Sequence, residues 1–127
     1  MHLFTKEWTS NKTHHYTLDI NDSKKQKLKP VESFDVDMLV TGAEIIDDIL
    51  YLVGYEKKGI VSLYQFQKSK DSDLFFESKY KKTYLGFSPA IGQIEGITGN
   101  SENLYISGEH IKVGFIETPQ IMYRLKL

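Results

Sequence analysis

Glu95 and Gln93 are the side chains best placed to do chemistry in this chain. They lie two residues apart, so an extended strand sets both on one face. Glu95 directly precedes Gly96, as Thr41 directly precedes Gly42. A carboxylate and an amide on one face, joined by Thr41 from an equivalent strand, could line a central channel and hold a cation such as Ca2+ or a water cluster. The plainer reading is that Glu95 is a brace that hydrogen-bonds turn or strand amides of a neighbouring blade. Glu109 and His110 form a second candidate, since an imidazole beside a carboxylate suits acid–base work or metal ligation. Neighbours in a strand point to opposite faces, however, so that pair chelates only where the chain bends. His14-His15 meets the same objection and reads as surface and packing.

Other side chains offer weaker chemistry. Asp35 and Asp37 share a face if extended, but no glycine-spaced acidic loop of the EF-hand kind follows them. Asp47-Asp48 is most simply a hairpin turn. Trp8 with Phe4, Tyr16 and Phe34 could form a sugar-stacking platform, although aromatics at strand spacing also serve as core between sheets. Asn11-Lys12-Thr13 and Asn21-Asp22-Ser23 match the glycosylation pattern by chance. Gly96-Ile97-Thr98-Gly99 lacks the lysine and helix of a phosphate loop. There is no Gly-x-Ser-x-Gly elbow and no His-Glu-x-x-His helix, so a serine hydrolase or ordinary zinc enzyme is not expected. The chain contains no cysteine, which excludes disulfides and thiolate metal sites.

The elements that must position these residues are strands. Of 127 residues, 40% are hydrophobic and 13% aromatic, and the aromatics sit in short runs beside Leu, Ile and Val. The net charge of −1 supplies no field for nucleic acid. The lysine clusters at Lys24-Lys25, Lys57-Lys58 and Lys79 to Lys82 read as solvated surface and edge protection. No apolar run is long enough to span a membrane, and the residues from Met1 to Lys6 lack the pattern of a signal peptide.

Strands are expected over 3–8, 13–20, 28–36, 38–45, 49–55, 61–66, 80–85, 91–98, 104–107 and 121–127, with 110–119 a loop. No window has a helical period, and only 71–80 tolerates a helical turn. Gly42 and Gly54 are twelve residues apart, and so are Gly96 and Gly108; the two pairs are offset by 54 residues. Leu50-Tyr51 and Leu104-Tyr105 fall at matching places inside them. A repeat of this length, with small residues in its first strand and bulky ones in the next two, fits four-stranded antiparallel blades. The expected fold is therefore all-β and β-propeller-like: a partial blade over 1–36, a complete one over 38–86 and a partial one over 91–127. A plain antiparallel sandwich or barrel is the other fold. Cut blades expose sheet edges, so the expected partners are remaining blades of a longer parent chain or another copy.

The segments Val40 to Glu44, Leu50 to Tyr55, Leu63 to Phe66, Gly92 to Ile97, Leu104 to Glu109 and Met122 to Leu125 resemble the C-terminal half of an exported β-propeller family of Bacteroidetes-type bacteria. Leu3 to Trp8 and Phe34 to Val36 fit the preceding blade. The resemblance implies a periplasmic or cell-surface location and a longer parent. The function expected is a non-catalytic ligand- or protein-interaction module. The alternative is part of a metal-dependent hydrolase or lactonase-like propeller with Glu95 in its channel.

Overall fold

A computed structural model describes residues 1–127. Three antiparallel sheets of three or four strands follow one another along the chain, the last interrupted by a two-stranded hairpin sheet. The first joins β1 (His2–Phe4), β2 (Lys12–Thr17) and β3 (Glu32–Asp35) in that order. The second joins β4 (Leu39–Ile46), β5 (Ile49–Tyr55), β6 (Ile60–Gln67) and β7 (Tyr80–Phe87), each beside its predecessor. A four-residue helix, α1 (Ser88–Ile91), leads to β8 (Gln93–Gly99) and β9 (Asn103–Glu109). A small hairpin, β10 (Ile111–Val113) and β11 (Ile116–Thr118), precedes β12 (Ile121–Lys126), which returns to pair with β9. No helix is long and apolar enough to cross a membrane.

Local chemistry explains the turns. Only Asp47 and Asp48 separate β4 from β5, with φ of 49° and 61°. A two-residue hairpin whose twist matches its strands needs both residues left-handed, and Asp tolerates that conformation. Gly59 (φ 84°) turns the chain into β6.

The alternation of β5 and β6 builds two cores at once. Leu50, Leu52, Tyr64 and Phe66 face one way and pack with Val36, Met38 and Phe75, with Phe4 and Phe34 of the first sheet against them. Tyr51, Val53, Val61 and Leu63 face the other way and pack with Ile94, Leu104 and Ile106 of the third sheet. The central sheet is thus covered on both faces, which is why Ile49 to Tyr55 is nearly all apolar. Each of these large side chains contributes about 1.5–3 kcal/mol by leaving water. The sheets stack without closing on one another.

The sequence repeat corresponds to a repeated irregularity. Pairing of β4 with β5 slips between Val40 and Gly42, leaving Thr41 as an extra residue. Pairing of β8 with β9 slips between Ile94 and Gly96, leaving Glu95 in the same role. These are β-bulges, which bend a strand and re-aim its side chains. Gly54 lies opposite Val40 and Gly108 opposite Ile94, each just before its bulge. A Cβ at Gly54 would fall 2.0 Å from the Leu39 carbonyl oxygen, so no side chain fits there.

Several expected boundaries shift. The strand expected over 3–8 ends at Phe4, and Trp8 stands in a turn. The one expected over 28–36 begins only at Glu32, beyond Pro30. Residues 71–80 hold no helix; the helix falls at Ser88, where Pro89 occupies its first turn and supplies the fixed φ a helix start favours. The loop expected over 110–119 contains the β10–β11 hairpin, turned by Gly114 (φ 61°).

Candidate functional site

The bulge at Glu95 turns its carboxylate toward the first sheet's connecting segment. Gln93 Nε2 donates to Glu95 Oε1 at 2.6 Å and to Tyr55 Oη at 3.2 Å. Lys6, just past β1, places its ammonium 3.7 Å from Glu95 Oε2 and 3.5 Å from Tyr55 Oη. That ammonium also lies 5.3 Å from the Trp8 ring centre and 5.4 Å from that of Tyr55, a cation held between two rings. The site draws on three sheets' worth of chain: Lys6 and Trp8 from the β1–β2 connection, Tyr55 from β5, Gln93 and Glu95 from β8.

The expected meeting of Gln93 and Glu95 therefore occurs, and Thr41 lines one cleft with Glu95 and Lys6. Thr41 itself turns back on its sheet, its hydroxyl donating to the Val53 carbonyl at 3.4 Å. Lys6 was not foreseen. It already supplies positive charge to Glu95, so any cation bound there must displace it. The only sequence signal for Lys6 was its place two residues before Trp8.

Glu109 and His110 do not form a pair. Glu109 is exposed opposite Gln93 in the β8–β9 ladder. His110 instead contacts Glu117 at 3.0 Å across the β10–β11 hairpin, with Lys112 3.3 Å from the same carboxylate. That carboxyl is held below its usual range, first by His110 and then by Lys112. Both groups are exposed and line no cleft with Glu95.

His14 and His15 part company as strand geometry demands. His14 contacts Glu7 at 2.5 Å on the outer side. His15 is fully buried among Phe4, Phe75 and Phe76. Its Nδ1 lies 2.7 Å from Glu32 Oε1, and its Nε2 lies 2.8 Å from His2 Nδ1. Glu32 also accepts the backbone N–H groups of Phe75 at 2.9 Å and Phe76 at 2.8 Å. The carboxylate fixes the tautomers along this thread. His15 donates from Nδ1, leaving Nε2 to accept from His2 Nδ1. Burial, followed by the charge of His15, lowers the His2 pKa. The thread crosses β1, β2 and β3 and hooks onto the β6–β7 connection. Alternation along this strand separates His14 from His15, but the apolar side chains that follow, Tyr16, Leu18 and Ile20, share the side of His14, so nothing in the sequence names His15 as the buried one or Glu32 as its partner.

The proposed aromatic platform is divided. Phe4 and Phe34 pack inward against the central sheet, while Trp8 stands 63% exposed. Asp47 and Asp48 serve the hairpin, as expected. No protein-family model, no curated protein and no solved structure matches this chain.

Proposed function

We propose that this chain is a non-catalytic interaction module built from propeller-like blades, and that it works joined to further blades or to another copy. The observation that carries the reading is a mismatch between two sheets that otherwise repeat each other. The strands β8, β9 and β12 reproduce β4, β5 and β6, down to the bulged residue before a glycine. Nothing stands in the third sheet where β7 borders β6, so β12 is an open edge. Beside it lies an apolar cleft of about 130 Å³, lined by Leu85, Ile91, Ile106, Tyr123 and Leu125. An extended segment added along β12 would satisfy its free backbone groups and cover these side chains. The resemblance to exported propellers supports the same reading and favours the periplasm or cell surface as its place of work.

The test is assembly. Sedimentation at rising protein concentration, and capture of the remainder of a longer parent chain, should each report docking at β12. Tyr123→Lys with Leu125→Lys should abolish docking while the far-ultraviolet spectrum is kept. A chain that neither self-associates nor captures such a segment defeats the proposal.

A further inference from the structure

We infer that the cleft between the β1–β2 connection, the β5–β6 turn and α1 is a binding site for a pyranose unit of a neutral glycan. It deepens the reading of the chain as a binding module but uses none of the residues of the β12 edge. Failure of one therefore leaves the other standing.

The cleft measures about 390 Å³ and is walled by Trp8, Tyr55, Gly59, Phe87, Ser88 and Gln93. Its aromatic rings are unusually available. Trp8 is 63% exposed and Phe87 45% exposed. Lys6 occupies the neighbourhood of the Trp8 ring at 5.3 Å, yet most of the indole still meets solvent. Gly59 allows Phe87 its position, since a Cβ there would lie 2.9 Å from the Phe87 ring. Flat apolar faces of this kind suit the C–H faces of a sugar ring.

The polar groups beside those rings have unspent hydrogen-bonding capacity. Gln93 commits both amide hydrogens, to Tyr55 and Glu95, so its carbonyl oxygen is left as an acceptor. Tyr55 Oη receives from Gln93 and from Lys6, so its own hydrogen is left to donate. Ser88 is only 6% exposed and its hydroxyl has no partner in the protein. Buried hydroxyls are nearly always paired, and Ser88, whose oxygen lies just behind the cleft wall, is left to bond a ligand hydroxyl or a water that bridges to one. A donor, an acceptor and a hydroxyl set around aromatic faces match vicinal sugar hydroxyls on a ring with apolar faces. Lys57 and Lys58 stand exposed at the rim and would matter only for an acidic ligand.

Trp8 is the only tryptophan, so its fluorescence reports on this cleft alone. We would titrate the full chain with neutral hexaoses of glucose, xylose, mannose and N-acetylglucosamine, with calorimetry in parallel. At least one should give a saturable fluorescence change. Phe87→Ala should weaken that binding about tenfold. Tyr55→Phe and Ser88→Ala should each weaken it several-fold, with Ser88→Ala leaving the melting temperature unchanged or higher. Lys57→Ala with Lys58→Ala should leave it intact. No saturable binding by any of the four would overturn the inference. So would binding that survives both Phe87→Ala and Tyr55→Phe. Binding confined to a uronate hexaose and lost with the two lysines would overturn it as well, by making the ligand an anion held at the rim.

Discussion

Glu32 and Glu95 are both carboxylates that tie one sheet of this molecule to another, yet they live in opposite circumstances. The Glu32 side chain is 8% exposed and its partners are two backbone N–H groups and a buried imidazole. The Glu95 side chain is 26% exposed and its partners are a lysine and a glutamine on flexible stems. Around Glu32 every hydrogen-bonding group in the thread is matched except the outer nitrogen of His2. Around Glu95 the second-line groups, Gln93 and Tyr55, retain an acceptor and a donor facing a cleft. A buried and matched network fixes how sheets sit; a half-open one with capacity to spare can take a ligand. The contrast sets a matched, buried tie between the first two sheets against a half-open cluster where all three sheets meet.

The sharpest way to break that contrast is to remove both carboxylates in turn. Glu32→Ala would strand two buried amides and the His15 Nδ1 hydrogen, and is expected to cost about 3 kcal/mol or more. Glu95→Ala removes a part-exposed pair and should cost under about 1 kcal/mol. Urea unfolding of the two variants measures the difference directly. Equal losses would mean that the two regions do the same job.

Acidity offers a smaller perturbation of the same thread. The fold lowers the His2 pKa below 6.5, chiefly by burial, so folding favours its neutral form. The unfolded chain therefore takes up a proton first as pH drops below 6.5, and stability falls until the lower, folded pKa is passed. Above pH 6.5 the contribution is fully present. The carboxylates of Glu7 and Glu117, both held below 4.5, act in a separate window at more acid pH. His2→Gln should flatten the stability profile just below pH 6.5 and leave the more acid limb in place. An unchanged profile would show that His2 titrates as it does in the unfolded chain.

How far these regions could be read in advance follows from their physics. The paired glycines announced a repeated unit but not the bulges within it, although a residue with no side chain is required where Gly54 meets Leu39. The turn at Asp47-Asp48 was legible because few residues accept two consecutive left-handed conformations. Gln93 and Glu95 were legible because strand spacing alone puts them together. Trp8 was legible as an aromatic candidate, but Lys6 and Ser88 were not, since the place of one beside Glu95 and of the other in a cleft with Gln93 depends on how sheets stack. Phe75-Phe76 lies in the β6–β7 connection and its N–H groups serve Glu32, a role that no strand pattern announces. Contacts made between sheets carry no period along the chain. Those within a sheet do.

The smallest expected effect bears on the channel-cation reading of Glu95. In the native chain the Lys6 ammonium lies 3.7 Å from that carboxylate, so a calcium ion must expel a cation that is already in place and covalently tethered. Calcium offers more ligand charge only if several oxygens converge, and here the neighbours are Gln93 and the Tyr55 hydroxyl, which already hydrogen-bond one another. Millimolar-range calcium is therefore expected to leave the melting temperature where it is. Lys6→Ala should itself cost under about 1 kcal/mol, as a part-exposed pair does, and should be the only variant in which calcium gains any hold. Differential scanning calorimetry of the native chain, Lys6→Ala and Glu95→Gln separates the cases. Calcium-dependent stabilisation of the native chain that vanishes in Glu95→Gln would make Lys6 a displaceable placeholder and return Glu95 to the role of metal ligand.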